Sequence, residues 1–114
     1  MDFEALRGYL LSKPGAAEDF PFDRVSLVLK VGGKMFAIVA TQKDPLWINL
    51  KCDPVRAEVL RDQYGAVQPG WHMNKRHWNT LVLDGSVPDE EIKMMIDDSY
   101  ELVVRGLPKA KRPQ

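Results

Sequence analysis

The chain has 114 residues, of which 45% are hydrophobic and 28% charged, and its 16 basic residues balance 16 acidic ones to a formal net charge of zero. These values are typical of one soluble globular domain and exclude a disordered chain. No apolar run approaches the roughly 18 residues that a membrane-spanning helix needs. The zero net charge also argues against general electrostatic binding of nucleic acid, unless the positive charge is concentrated on one surface.

The cellular location predicted from the sequence is cytoplasmic. The first residues, MDFEALRGYLLSK, have acids where a secretory signal has bases, and no small-residue cleavage site follows. The single cysteine, Cys52, has no partner for an internal disulfide. That is typical of proteins from a reducing compartment.

The first half of the chain predicts a helix followed by three strands. Apolar residues recur at helical spacing over residues 2–12. In the loop that follows, over residues 16–24, we expect the rings of Phe20 and Phe22 to pack against the core. Residues 25–31, 34–41 and 46–51 then read as strands joined by short turns, which makes the sheet antiparallel.

The second half predicts a helix, one or two strands and a final helix. Asp53-Pro54 starts a helix with a side-chain cap and a proline at its first position. A strand is predicted over residues 78–83, and the last helix begins near Pro88 and ends at Gly106. Residues 108–114 form a basic tail that we expect to fray.

The predicted fold is a single α+β domain over residues 1–107, with the order α-β-β-β-α-β(β)-α and the helices packed on one face of an antiparallel sheet. The other face would then be open to solvent or to a partner. Alternation assigns to it Val28, Lys30, Trp47, Asn49 and Lys51, with Trp78 and Thr80 as further candidates.

Lysines and aromatic rings on an open sheet can contact phosphates and stack on bases. An ordinary amphipathic surface, or a face covered by a loop or a second subunit, would give the same pattern.

The densest polar and aromatic segment lies between Pro69 and Thr80, and it contains no acid. Arg76 offers a planar fork for phosphate or carboxylate, and Lys75 a mobile point charge. The competing interpretation is structural, with Trp78 in the core and Asn74 in a turn. The candidate binding residues are Trp71, His72, Asn74, Lys75, Arg76, His77, Trp78 and Asn79.

The sequence predicts neither a metal site nor a cofactor. His72 and His77 are five residues apart and Cys52 is isolated, so no tetrahedral zinc set is formed. A Cys52 nucleophile with a histidine base would require the fold to bring together two residues that no sequence motif links. We therefore expect a protein that is not an enzyme.

Several stretches of the chain resemble the MmcQ/YjbR family of small bacterial domains over nearly its whole length. They are EDFPF at 18–22, VGGKMFA at 31–37, LKCDP at 50–54, PGWHMNKRHWN at 69–79 and LDG at 83–85, with Pro88 and Ser99-Tyr100 beyond. The resemblance implies a fold similar to the CyaY (bacterial frataxin) type and a predicted DNA-binding role. It does not imply iron chemistry, because no acidic ridge is seen early in the chain.

The leading functional hypothesis is a non-enzymatic DNA- or nucleotide-binding module that acts through the Trp71–Asn79 segment. The alternative is a domain that binds a small anionic ligand or a protein partner with the same residues. The first predicts binding that weakens as salt rises, whereas the second predicts a salt-tolerant complex that depends more on a tryptophan than on Lys75.

Overall fold

The structure is a computed structural model that describes residues 1–113 of the chain. Its helices are α1 (Phe3–Leu11), α2 (Pro54–Gln63) and α3 (Asp89–Arg105), and its strands are β1 (Ala17–Asp19), β2 (Ser26–Val31), β3 (Lys34–Ala40), β4 (Trp47–Lys51), β5 (Val67–Pro69) and β6 (Trp78–Val82). A one-turn 3-10 helix, Lys109–Lys111, follows α3. No helix within residues 1–113 is both long and apolar enough to cross a membrane.

The six strands form one sheet in the order β1-β2-β3-β4-β6-β5, and every neighbouring pair is antiparallel. The α+β class and the antiparallel sheet with helices on one face are therefore confirmed. After β4 the chain forms α2 and then β5 at the sheet edge, and β6 returns to pair between β5 and β4.

Side-chain caps fix where two of the helices begin. The Asp2 carboxylate accepts a hydrogen bond from the Ala5 amide at 2.8 Å at the start of α1. At the start of α2 the Asp53 carboxylate accepts from two main-chain amides, with Pro54 next in the chain. Both caps satisfy amides that have no partner within the helix.

The hydrophobic core lies between the sheet and the three helices, and its largest fully buried side chain is Phe36. Leu29 pairs with Ala37 and Lys30 pairs with Met35, so Phe36 is the extra residue of a β-bulge. Its ring meets that of Tyr100 on α3 edge to face, with centroids 5.3 Å apart. The bulge therefore places an aromatic anchor for α3 at the start of β3.

Two features of the structure differ from the sequence expectations. Strand β1 was not predicted, because its residues Ala-Glu-Asp have no apolar alternation. The expectation that Phe20 and Phe22 pack in the core is wrong, since they are 48% and 65% exposed. In the predicted tail, Arg112 donates hydrogen bonds to the carbonyls of Leu107 and Arg105. Gln114, the last residue of that predicted tail, lies outside the described residues.

Candidate functional site

The helix-free face of the sheet is built from the alternate side chains of β2, β3, β4 and β6. In the register of β4 with β6, Trp47 is opposite Val82, Asn49 opposite Thr80, and Lys51 opposite Trp78. These positions alternate with core residues such as Ile48 and Leu81, so they point away from the helices. Val28 and Lys30, also predicted for the open face, lie on the same side of the sheet. Val28 and Thr80 are buried there, so the face is not open to solvent at these two positions.

The loop between β5 and β6 folds across this face. The Trp71 amide donates to Oγ1 of Thr80 at 2.8 Å, and Nδ2 of Asn49 donates to the Trp71 carbonyl at 3.4 Å. The Thr80 hydroxyl also donates to Oδ1 of Asn49. Two polar residues of the sheet thereby tie Trp71 to the helix-free face, so the start of the predicted segment lies against the predicted open face.

The start of this loop requires two special backbone positions. A Cβ atom at Gly70 would lie 2.8 Å from Cβ and 2.9 Å from the carbonyl oxygen of Trp78, so only glycine allows this approach. His72 has a φ of 59°, in the left-handed region. The Lys75 ammonium group donates to the Gly70 carbonyl at 2.9 Å and holds the loop from its far side.

A groove of about 360 Å³ lies between this loop and the sheet. The rings of Trp47 and Trp71 meet edge to face with centroids 5.9 Å apart, and the His72 ring is 5.2 Å from that of Trp71. The ammonium group of Lys43 lies 5.1 Å from the Trp47 ring centroid, within cation–π range. The apolar lining is completed by Phe22, Met35, Ile38, Ala40 and Met73, and the polar lining by Ser26 and Asn49.

The described residues that line the groove include no carboxylate, whereas they include Lys43 and His72. The nearby Asp23 carboxylate accepts hydrogen bonds from the amides of Val25 and Ser26 and from the Ser26 hydroxyl. These bonds lower the pKa of Asp23. Asp23 is thus held as a carboxylate beside Ser26, so one negative charge lies next to the groove although it is not part of the lining.

The chain has three tryptophans, and all of them lie on the helix-free face. Trp47 and Trp71 line the groove, whereas Trp78 lies beside Lys51 at the other end of the same strands. Lys30 is also on this face, but its ammonium group pairs with the Asp19 carboxylate at 3.0 Å.

The predicted binding segment does not form one surface. Arg76 lines a separate depression against α2, together with Glu58 and Arg61. Asn74 shapes the turn: its carbonyl accepts from the amides of His77 and Trp78, and its side-chain oxygen accepts from the Arg76 amide.

Asn79 points to the helix side, where it is only 5% exposed. Its side-chain oxygen accepts from Nε of Arg61 at 2.7 Å, and its amide group donates to the Ala57 carbonyl at 3.3 Å. The His77 carbonyl accepts a hydrogen bond from the Cys52 amide at 2.8 Å. Asn79 and His77 therefore both connect the start of β6 to the region of α2. Of the eight predicted binding residues only Trp71 and His72 line the groove, and Met73 of the same segment lines it as well.

Cys52 is buried on the helix side of the sheet. Burial raises the pKa of its thiol, so the reactive thiolate is disfavoured at neutral pH. Among residues 1–113, no three His, Cys, Asp or Glu side chains converge in a way that could hold a metal ion.

Sequence reasoning missed several groove residues, notably Phe22, Met35, Ile38 and Lys43. Strand β3 is apolar on both sides, so alternation could not say which of its residues face the helices. The bulge at Phe36 then shifts the phase between Met35 and Ile38. For Phe22 and Lys43, which lie in loops, no periodic signal exists.

Comparison with known proteins places this chain in a family. A family model described as YjbR matches residues 11–102. The uncharacterized protein YjbR of Escherichia coli K12 is 39% identical over 112 residues, which are 98% of this chain and 95% of that protein. The uncharacterized protein YbdF of Escherichia coli O157:H7 is 34% identical over 111 residues, covering 97% and 89% of the two chains.

Solved structures show the same fold. The crystal structure of a Deinococcus radiodurans protein with a DUF419 domain superposes with a TM-score of 0.90 at 41% identity, covering 95% of this chain and 83% of that one. A protein from Pseudomonas syringae superposes with a TM-score of 0.77 at 27% identity, covering 90% and 98%.

Proposed function

The chain belongs to the YjbR family, and we propose that it is a non-enzymatic module that binds a nucleotide, or a similar small aromatic anion, in the groove on the helix-free face. The observation that supports this most directly is the composition of the groove: two tryptophans that meet edge to face, with Lys43 and His72 and no carboxylate among its described lining residues.

The ring of such a ligand would be held by the indoles and the apolar wall. Trp71 is 56% exposed although it is tied to the sheet through its backbone, so a flat, pre-positioned ring is available for stacking. Stacking on an aromatic side chain is worth about 1–3 kcal/mol per base. A groove of this size, mostly apolar with a few polar groups, is typical of small-molecule sites.

The negative charge of the ligand would be met at the rim of the groove. Lys43 and His72 are the cationic or titratable groups in its lining. Lys43 already lies over the Trp47 ring, so a phosphate or carboxylate bound to its ammonium group would lie close to a ring stacked on the indoles.

A second candidate function, the binding of single-stranded DNA, is favoured by the continuation of the same face toward Lys51 and Trp78. A basic surface with interleaved aromatic rings is how many proteins hold single strands. This version uses the sheet face rather than Lys75 and Arg76, because Arg76 lines a different depression.

We also propose that the protein acts in the cytoplasm and performs no chemistry on its ligand. The single cysteine supports the first point. The raised pKa of the buried Cys52 thiol supports the second, because a protonated thiol is a poor nucleophile. We propose as well that the fold is of the CyaY (bacterial frataxin) type. The packing of the helices on one face of an antiparallel sheet supports this assignment.

Calorimetric titration of the four mononucleotides into wild-type protein and Trp71→Ala tests this function. We expect saturable binding that Trp71→Ala weakens about tenfold or more and that Trp71→Phe largely retains, because the stacking ring is restored. The proposal would be refuted if the wild type bound no mononucleotide, or if Trp71→Ala bound every mononucleotide as tightly as the wild type does.

A further inference from the structure

A second depression, of about 290 Å³, lies at the end of the sheet, where β3, β4 and β6 meet the end of α3. Its lining includes Lys34, Lys51 and Trp78, together with residues near the end of α3, and among the described lining residues there is no carboxylate. Met35 lines both this depression and the groove, so its side chain lies between them.

The charges of this depression are available for a ligand. Within residues 1–113, neither Lys34 nor Lys51 takes part in an ion pair, in contrast to Lys30, which Asp19 neutralises. The backbone amide of Lys51 is fixed by the Ser99 hydroxyl at 2.9 Å, so the base of its side chain has a defined position. Trp78, opposite Lys51 in the register, supplies an aromatic surface.

The spacing of the two depressions sets the size of what can fill both. Trp47 and Lys51 are the first and last residues of β4, and both lie on the helix-free face of the sheet. Four residues of strand correspond to about 13 Å at the usual rise. A single nucleotide ring in the groove would therefore leave the Trp78 end unoccupied.

We propose that the depression at Trp78 is a second subsite for the same ligand, so that the ligand has the size of a dinucleotide. This inference rests on the proposed function. One base lies against Trp47 and Trp71, and the second nucleotide lies against Trp78 with its phosphate at Lys34 and Lys51. That phosphate bridges the two nucleotides, and the sugar of the first one passes over the apolar side chain of Met35.

The test compares the four mononucleotides with the matching 5′-phosphorylated homodinucleotides, by calorimetry at two salt concentrations. For the wild type we expect the best dinucleotide to bind at least about tenfold more tightly than its mononucleotide, because the second contact is intramolecular. Lys51→Gln should weaken dinucleotide binding about fivefold and reduce its salt slope by about one, as expected for one lost phosphate contact. Its mononucleotide affinity should not change.

Two control variants keep the result specific. Lys93→Gln removes the same charge from the helix side, where Lys93 lies over the Tyr9 ring, and should change neither affinity. Lys51→Arg keeps the charge and should retain dinucleotide binding.

The outcomes separate this inference from the function on which it rests. Mononucleotide binding without a gain for dinucleotides, or with the same Lys51→Gln effect on both, overturns the second subsite and leaves the proposed function intact. If no mononucleotide or dinucleotide binds, the proposed function fails and the second subsite with it.

Discussion

The hydroxyl of Ser99 on α3 donates a hydrogen bond to the carbonyl of Phe36 on β3, at 2.6 Å, and it accepts one from the Lys51 amide on β4 at 2.9 Å. The last pair in the β3–β4 register is Ala37 with Leu50, one position away. A helix side chain thus satisfies two main-chain groups at the point where the two strands separate.

Replacing Ser99 with alanine should destabilise the fold by about 1–3 kcal/mol, because a buried carbonyl and an amide lose their partner. Urea unfolding would measure the change. Ser86→Ala is the matched control, because the Ser86 hydroxyl bonds to Asp84 in an exposed turn, and it should cost less than about 0.5 kcal/mol. Similar losses for the two variants would contradict the bridging role of Ser99.

Phe22→Ala should weaken nucleotide binding several-fold with little change in stability, because Phe22 is exposed and lines the groove. Phe20→Ala is a close control: Phe20 is an exposed phenylalanine of the same loop that does not line the groove. Calorimetry and thermal unfolding of both variants would test this. A larger loss of binding from Phe20→Ala would place the ligand elsewhere.

Lys43→Glu should reduce mononucleotide affinity about tenfold or more, because it puts a negative charge at the rim of the groove. Arg76→Glu makes the same charge change in the separate depression beside α2 and should have little effect. The reverse order of effects would favour the Trp71–Asn79 segment, including Lys75 and Arg76, as the anion site.

The Cys52 thiol should react slowly with a thiol-specific reagent at pH 8 in the folded protein. Burial raises its pKa, so a smaller fraction is thiolate at that pH than for a free thiol, and access is also restricted. The rate should increase as pH rises further, and unfolding in urea should bring it to the value of an exposed thiol. Fast labelling of the native protein at pH 8 would show that Cys52 is accessible and activated.

Much of the fold could be predicted because its local signals agree with its packing. Asp53-Pro54 starts α2 as expected, and alternation correctly placed Lys30, Trp47 and Lys51 on one face. Phe20 and Phe22 could not be placed, since an apolar ring in a loop has no periodicity that distinguishes core from surface.

The site was harder to predict than the fold, because its geometry depends on contacts between distant residues. Trp71 reaches the sheet through Asn49 and Thr80, and the loop starts at a glycine pressed against Trp78. Within the same segment, Arg76 and Asn79 turn toward α2. A cluster of polar residues in the sequence therefore did not correspond to a cluster in space.

The placement of the three tryptophans has an optical consequence. Since the chain has no indole on the helix side, its intrinsic emission reports on one face only. Iodide, an anionic quencher drawn to lysines, should reduce that emission more than caesium does. A guest seated on that face would shield the fluorophores from both ions, whereas a partner docked on the helices would leave the quenching unchanged.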